Sequence, residues 1–242
     1  MKEDVWNPWH GCVKYSEGCR NCYVYRRDES IGKDPSAVQR NSAFDMPIKK
    51  NRAGEYKVPS GSVLFTCLTS DFFLDMADAW RPEAWDMMRA RPDVQFMIIT
   101  KRILRFSDCV PEDWGDGYRN VSVICTVENQ RQCDIRLPVF CSLPVAGGKY
   151  IACEPLLSDI DLSRYLSDEI LKVMAGGESG PGARMCDYDW VLHLRDQCLE
   201  AGVAFEYHQT GALLRKDGRV YRIPRKIQHS QAHKAGIDIR QK

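Results

Sequence analysis

The sequence has little net charge, no long apolar segment and no secretory signal. Its 34 lysines and arginines are balanced by 33 aspartates and glutamates, so the formal charge of the 242-residue chain is +1. This balance excludes a strongly basic nucleic-acid-binding domain and leaves room only for a local basic patch. No run of 18 apolar residues is present, which predicts no transmembrane helix. Residues 1–10 lack the apolar core of a signal peptide, so we expect a cytoplasmic protein without membrane attachment.

A disulfide framework and a dinucleotide-binding fold are also not expected. The chain has 11 cysteines, an odd number scattered over a sequence that is not small, which favours a reducing compartment. No Gly-x-Gly-x-x-Gly fingerprint follows the first strand-like segment, which argues against a Rossmann sheet. Hydrophobic residues make up 44% of the chain and charged residues 28%, a composition typical of globular proteins. The length suits one large α/β domain or two small ones.

Three cysteines are concentrated near the start of the chain. Cys12, Cys19 and Cys22 follow the spacing Cys-x6-Cys-x2-Cys. Thiolate is a soft ligand that suits iron–sulfur clusters, zinc and Cu(I). A structural zinc site is closed by four ligands, whereas three thiolates leave one iron of a four-iron cluster open for another ligand. The motif therefore favours a [4Fe–4S] cluster.

Two other interpretations of these cysteines stay open. His10 lies two residues before Cys12 and would complete a four-ligand zinc site with the three thiolates. Alternatively, the three residues are ordinary buried cysteines without a metal, since cysteine is frequent throughout this chain.

Apolar runs alternate with helix-like segments from residue 62 onwards. Continuous apolar runs are typical of buried parallel strands, and their alternation with helices predicts βαβ units. The sequence therefore predicts an α/β fold with about six to seven parallel strands, arranged as a partial (β/α) barrel. The predicted strands are 5–9, 62–68, 94–99, 120–125, 150–153, 171–175 and 203–207, and helices are expected at 23–29, 82–90, 130–137, 163–170 and 187–201.

Two segments stand outside this pattern. Residues 31–60 are polar and irregular, and we interpret them as an insertion into a partial-barrel domain of residues 1–211. Residues 212–242 are expected to form a basic C-terminal tail or extension. Clustered cations attract phosphates, so these segments predict a large anionic substrate, above all nucleic acid. The basic residues concerned are Lys49, Lys50, Arg52, Arg215, Arg219, Arg222, Arg225 and Lys226.

Polar residues follow each of the later predicted strands. The carboxyl ends of parallel strands meet at one edge, and in barrel enzymes the active site lies there. We therefore expect most of these side chains to face one site, with the carboxylates of Asp71 and Glu128 exposed in it. The full set is Ser70, Asp71, Thr100, Lys101, Thr126, Glu128, Glu154, Gly177, Glu178, His208 and Gln209.

Several of these motifs together resemble a known family. Trp6-Asn7-Pro8, Gly11-Cys12 and Gly18-Cys19-x-x-Cys22-Tyr23 look like the phage Gp37/Gp68 family, a group of unknown function that is similar to radical SAM enzymes. Later motifs also match its pattern, and the resemblance covers residues from about 5 to 211. They are Thr100-Lys101-Arg102, Val127-Glu128-Asn129, Glu154-Pro155-Leu156 and the run from Gly176 to Arg184.

The resemblance implies a partial barrel of the radical SAM type that holds a [4Fe–4S] cluster and S-adenosyl-L-methionine. In such enzymes the reduced cluster cleaves the sulfonium of the cofactor, and the resulting 5′-deoxyadenosyl radical abstracts hydrogen from a substrate. A reductase or another electron donor is then required as a partner. The association with phages makes a nucleobase in DNA or tRNA the expected substrate.

The same resemblance implies roles for the residues at the strand ends. Ser70 and Asp71 would bind the methionine ammonium, and Lys101 its carboxylate. Glu128 or Asn129 would bind the ribose, Gly176 and Gly177 would permit close backbone approach to adenine or to substrate, and Tyr23 and Thr126 are further expected cofactor contacts. The substrate would meet Glu154, Glu178, His208 and Gln209; alternatively, Glu154 and Glu178 are structural and bind loop backbone at the barrel mouth.

The chain departs from the usual radical SAM pattern in two places. The common spacing is Cys-x3-Cys-x2-Cys with an aromatic residue just before the last cysteine, whereas here the first gap is six residues, Asn21 precedes Cys22 and the aromatic Tyr23 follows it. In addition, Leu68-Thr69-Ser70-Asp71 stands where Gly-Gly-Glu usually ends the second strand. Two further functions therefore stay open. One is a non-catalytic nucleic-acid-binding protein with a zinc site or a cluster, and the other is an iron–sulfur protein that has lost the chemistry of the cofactor.

Overall fold

The computed structural model describes residues 3–240, which contain twelve strands and six α-helices. The strands are β1 (Glu3–Trp6), β2 (Trp9–His10), β3 (Gln39–Arg40), β4 (Val63–Thr66), β5 (Gln95–Thr100), β6 (Val121–Thr126), β7 (Lys149–Cys153), β8 (Ile170–Gly176), β9 (Cys186–Asp187), β10 (Ala204–Gln209), β11 (Leu213–Lys216) and β12 (Arg219–Arg222). The α-helices are α1 (Tyr23–Ser30), α2 (Arg81–Ala90), α3 (Phe106–Cys109), α4 (Gln130–Ser142), α5 (Tyr188–Ala201) and α6 (Gln228–Lys234).

Seven strands form one parallel sheet with the order β1-β4-β5-β6-β7-β8-β10. The order follows the chain, as expected when each strand is joined to its neighbour by a crossover connection. All six residues of β6 are buried, as is typical of a strand covered on both faces. The predicted α/β fold of the partial (β/α) barrel type is confirmed.

The predicted helix over 163–170 is wrong. These residues form turns, and β8 begins at Ile170. The segment closes separate turns instead, since the backbone N–H of Tyr165 donates to the carbonyl oxygen of Leu162 and that of Ile170 donates to the carbonyl oxygen of Ser167. The side chains of Asp161 and Gln197 accept hydrogen bonds from the backbone N–H groups of Ser163 and Leu162 at the start of the segment.

Two compact units make up the described part of the chain. The first takes in residues 3–14, 24–124 and 143–148, and the second takes in residues 15–23, 125–142 and 149–240. The motif of three cysteines is divided between them, since Cys12 belongs to the first unit and Cys19 and Cys22 to the second. The predicted boundary at residue 211 stays a prediction.

An aromatic cluster forms part of the core of the first unit. Trp85 of α2 lies 4.9 Å from Phe72 and 5.1 Å from Trp114, measured between ring centroids. Its indole N–H donates a hydrogen bond to the carbonyl oxygen of Cys109. Phe72 and Phe73 follow Asp71 directly and are completely buried. Because aromatic packing of this kind fixes position as well as burying surface, the loop after β4 is held firmly in the unit.

The C-terminal segment has more structure than its basic composition predicts. Strands β11 and β12 form an antiparallel hairpin, and β11 also pairs with β9 in a sheet of three strands. Helix α6 contacts β10, and Ile239 forms an isolated antiparallel bridge with Phe205. Among residues 3–240, none of the helices combines the length and the apolar character that a membrane crossing requires.

Candidate functional site

A single tight turn carries two of the three motif cysteines. Glu17–Cys19 form one turn of 3-10 helix, and the backbone N–H of Cys22 donates to the carbonyl oxygen of Cys19 at 3.3 Å. Helix α1 begins at the next residue, Tyr23. Both thiols are partly exposed. Cys19 and Cys22 therefore lie on one tight turn, which we call the cysteine turn (residues 16–22).

The buried carboxylate of Glu128 holds one end of the cysteine turn. Its Oε1 accepts a hydrogen bond from the backbone N–H of Gly18 at 3.0 Å, and its Oε2 accepts one from Nη1 of Arg136 at 2.8 Å. Glu128 follows β6 and Arg136 lies in α4, and both are fully buried. A Cβ atom at Gly18 would lie 3.1 Å from the carboxyl carbon, so this close approach suits glycine. The position of Cys19 is therefore tied to the end of β6.

A second buried carboxylate, Glu178, holds the middle of the same turn. Asn21, between the two cysteines, donates from Nδ2 to Glu178 and to the carbonyl oxygen of Gly182, both at 2.9 Å. Arg184 donates to Glu178 from its backbone N–H at 2.8 Å and from two side-chain nitrogens. Burial alone would raise the pKa of Glu178, but the hydrogen bonds from Arg184 and Asn21 outweigh it and lower the pKa below 4.5.

No role was predicted from the sequence for Asn21, Arg136 or Arg184. Asn21 stood out only as the residue that replaces the usual aromatic before the last cysteine. Arg184 closed a matching motif, and Arg136 lies eight residues after Glu128, a spacing that places it about two helical turns along α4. A buried carboxylate requires a cation or several hydrogen-bond donors, so burial of Glu128 and Glu178 would have indicated that partners such as Arg136 and Arg184 exist.

In the first unit, the loop after β4 holds the segment that contains Cys12. Ser70 donates from its hydroxyl to the carbonyl oxygen of Gly11 at 2.5 Å, and Arg102 donates to that of Val13 at 2.8 Å. The backbone N–H of Cys12 donates to the carbonyl oxygen of Pro35 at 2.9 Å. Gly11 has a φ of +91°, and a Cβ atom there would lie 2.4 Å from the carbonyl oxygen of Ala37.

The expectation that the carboxylates of Asp71 and Glu128 are exposed is wrong. Asp71 is 5% exposed and accepts hydrogen bonds from the hydroxyl of Thr100 at 2.8 Å and from the backbone N–H groups of Lys101 and Phe73. Glu128 is 0% exposed. Loops at the strand ends bury backbone N–H groups that need acceptors, and these carboxylates supply them. Their predicted contacts with a cofactor therefore compete with contacts inside the protein.

The residue that follows β4 has an unusual backbone conformation. Cys67 has a φ of 63°, in the left-handed region that costs most residues about 1 kcal/mol or more. It is buried, and burial is the main cause that raises the pKa of its thiol, followed by the charge of Asp71. A glycine would adopt this φ without strain.

In the second unit, residues at the carboxyl ends of β7, β8 and β10 come together. Nδ1 of His208 lies 2.9 Å from Oε1 of Glu154, and Gln209 donates from its amide to the carbonyl oxygen of Gly177 at 3.1 Å. Gly176 lies between them, since a Cβ atom there would lie 3.2 Å from the carboxyl carbon of Glu154. The structure therefore brings three of the four predicted substrate contacts together, and Glu178 binds Asn21 and Arg184 instead.

The backbone of Gly177 makes a close approach, as predicted, but the group that it approaches is the protein's own backbone at Thr210. A Cβ atom at Gly177 would lie 2.4 Å from the carbonyl oxygen of Thr210. Packing of the ends of β8 and β10 therefore requires glycine here, whether or not adenine binds.

The other residues that were predicted to contact the cofactor or a metal lie in several different places. The carbonyl oxygen of Thr126 accepts a hydrogen bond from Arg136 at 2.7 Å, and Asn129 donates from its amide to Glu17 in the cysteine turn at 2.8 Å. Lys101 is half-buried, and Tyr23 is 39% exposed at the start of α1. Nε2 of His10, the alternative fourth zinc ligand, lies 2.7 Å from the carboxylate of the buried Asp28.

The donor set fits an iron–sulfur cluster in its chemistry. The three motif thiols are soft donors and partly exposed, whereas seven of the eight other cysteines are buried. Within residues 3–240, no three side chains of histidine, cysteine, aspartate or glutamate form a group that holds a metal ion. The assignment of Cys12, Cys19 and Cys22 as ligands stays a prediction.

A family model described as "Protein of unknown function (DUF5131)" matches residues 1–239. The chain belongs to this family. The match takes in both compact units and the basic hairpin as well as the cysteine motif. No curated protein and no solved structure matches the chain.

In this DUF5131 member, we expect Glu128→Gln to destabilise the fold strongly. The substitution keeps an acceptor for Gly18 but leaves the buried guanidinium of Arg136 without a counter-charge, at a cost of about 3 kcal/mol or more. Urea unfolding measures the free energy of unfolding. Glu83→Gln is the matched control, because its pair with Arg40 is exposed on both sides and contributes about 1 kcal/mol or less. Equal losses in the two variants would contradict the assigned role of Glu128.

The pair of His208 and Glu154 predicts a pH dependence. Hydrogen bonding and attraction by Glu154 raise the pKa of His208 above its ordinary 6.5. The stabilisation by this pair is therefore complete below about pH 6.5 and is lost as the pH rises through the raised pKa. We expect an NMR titration to show a lower pKa for His208 in the Glu154→Gln variant, with the exposed His193 as internal reference. An unchanged His208 titration in that variant is the contrary result.

Proposed function

We propose that this protein is a radical SAM enzyme in which Cys12, Cys19 and Cys22 hold a [4Fe–4S] cluster. One observation carries the proposal. The tight turn that bears Cys19 and Cys22 keeps both thiols partly exposed while two buried carboxylates hold it from the ends of β6 and β8, Glu128 through the backbone N–H of Gly18 and Glu178 through the side chain of Asn21. Burying two carboxylates to position one short surface turn is costly unless the position of the turn matters. The resemblance to the phage Gp37/Gp68 family supports the same function.

The chemistry that such a group supplies when bound is one-electron cleavage of the sulfonium of S-adenosylmethionine, followed by hydrogen abstraction from a substrate. The electron would come from a reductase or another donor. The protein's own residues would bind and orient the reactants. This division of labour is general for cofactor enzymes.

The buried carboxylates act as positioning residues in this proposal. Glu128 and Glu178 orient the cysteine turn, and Asp71 orients the loop after β4 through Thr100 and Lys101. The half-buried Lys101 remains suited to a carboxylate such as that of methionine, since its backbone is held in place by Asp71 while its ammonium is a mobile point charge.

The pair of Glu154 and His208 is suited to proton transfer. Nδ1 of His208 faces Glu154, so Nε2 is the ring nitrogen that would meet a substrate. The raised pKa of His208 increases the protonated share of its imidazole at a given pH. We assign the pair the task of holding a proton at Nε2 for the substrate.

Anaerobic reconstitution tests the proposal. With iron and sulfide, we expect the protein to bind about four irons per chain and to become brown. Cys19→Ala is expected to lose most of this iron. Cys141→Ala is the matched control, since Cys141 is also partly exposed but lies outside the motif, in α4. Equal iron in both variants would contradict the ligand assignment.

The same preparation tests the reaction. A reduced sample incubated with S-adenosylmethionine is expected to release methionine and 5′-deoxyadenosine. A colourless protein that holds one zinc would favour the nucleic-acid-binding alternative. A brown protein without cofactor cleavage would instead show an iron–sulfur protein that lacks this chemistry.

A further inference from the structure

The hairpin of β11 and β12 is a regular structure with a short turn. The two strands pair from Leu213 opposite Arg222 to Lys216 opposite Arg219. Asp217 and Gly218 connect them with φ values of 51° and 71°. An Asp-Gly pair with both φ values positive is the favoured two-residue connection of antiparallel strands. The basic segment is therefore presented on an ordered frame.

The hairpin and the residues after it concentrate positive charge. Six lysines and arginines and one aspartate give residues 213–227 a formal charge of +5, although the whole chain carries only +1. Arg215 pairs with Asp187, and Lys216 lies over the ring of Tyr188. Among residues 3–240, no carboxylate lies within ion-pair distance of the other four cations. They are Arg219, Arg222, Arg225 and Lys226.

The charge arrangement opposes the stability of the hairpin itself. Lys216 and Arg219 lie directly opposite each other at the turn, and like charges in that position destabilise an antiparallel pair. All four residues of β12 are exposed, including Val220 at 57% and Tyr221 at 44%. A repulsive pair beside an exposed aromatic ring is better explained by an anionic partner than by the needs of the fold.

A groove is lined in part by residues of the hairpin. It has a volume of about 400 Å³ and is lined by the turn 180–183 on one side and by Leu213, Arg222, Ile223 and Pro224 on the other. The carbonyl oxygen of Gly182, in that turn, accepts the hydrogen bond from Asn21 between Cys19 and Cys22. Within the second unit, the wall of the groove is therefore in direct contact with the cysteine turn.

We propose that the hairpin (residues 213–227) and this groove bind a single strand of nucleic acid. Arg222 lines the groove, whereas Arg219 and Tyr221 point to the other face of the edge strand β12. The nucleic-acid strand would therefore cross the edge of the hairpin, with its phosphates beside the unpaired cations and one base stacked on the ring of Tyr221. The apolar lining from Leu213, Ile223 and Pro224 suits an unstacked base rather than a duplex. Binding does not depend on the proposed function, but the role of the strand as substrate rests on it.

Fluorescence anisotropy with labelled single-stranded DNA and RNA of twelve nucleotides tests binding in the full chain. Neutralising four phosphates on a single strand predicts a slope of log affinity against log salt of about −3. We expect Arg219→Gln, Arg222→Gln and Arg225→Gln together to weaken binding at least tenfold and to reduce the slope by about 2. Arg119→Gln, Arg131→Gln and Arg164→Gln together are the charge-matched control, since these three arginines are also exposed, and they are expected to change affinity less than twofold. Equal weakening by both sets would overturn the assignment to the hairpin.

Tyr221→Ala separates base stacking from general attraction. A stacked base contributes about 1–3 kcal/mol, so we expect at least fivefold weaker binding of the single strands and no change for a duplex. Duplex binding as tight as single-strand binding, or no binding above that of a neutral protein, would overturn the proposal. All measurements are made on the protein before and after reconstitution with iron and sulfide, and equal binding is expected. A failure of binding is thereby distinguished from a failure of the proposed enzyme function.

Discussion

The hydrogen bond between the buried carboxylate of Glu128 and the backbone N–H of Gly18 is the contact on which the candidate site depends. An ionised carboxylate is stable without water only when cations or several donors surround it, and Arg136 supplies the cation here. Because Gly18 adjoins Cys19, the same contact fixes the cysteine turn. Glu178 repeats the arrangement with Asn21 and Arg184. Positioning of the turn thus follows from the need to satisfy two buried charges.

Much of the fold could be predicted because its signals are local. The apolar runs gave β4, β5, β6, β7, β8 and β10 to within about two residues, and Gly202, in the left-handed conformation, ends α5 as expected. The turns that replace the predicted helix over 163–170 follow a segment that Gln197 of α5 holds through the backbone of Ile160 and Leu162, a contact distant in sequence that local patterns do not show. The hairpin of β11 and β12 was not predicted, because the segment was interpreted from its basic composition and its Asp-Gly pair was not recognised as a turn.

The sequence indicated residues of the candidate site, but it did not predict the contacts that these residues make. Asp71, Glu128 and Glu178 were recognised as strand-end carboxylates, yet their burial depends on partners far away in the sequence. Gly18 lies 110 residues before Glu128, and Asn21 lies 157 residues before Glu178. Pattern and spacing carry no information about such pairs. The pairing of Glu154 with His208 could not be predicted either, although both residues were named as substrate contacts.

Electron paramagnetic resonance of the reduced, reconstituted protein tests the central claim most directly. If the cysteine turn holds a four-iron cluster with one open position, the reduced sample shows an iron–sulfur signal, and adding S-adenosylmethionine changes that signal because the cofactor binds the open iron. The Cys19→Ala variant should show neither the signal nor the change. A signal that the cofactor leaves unaltered, or a protein that binds zinc and gives no signal, would contradict the account.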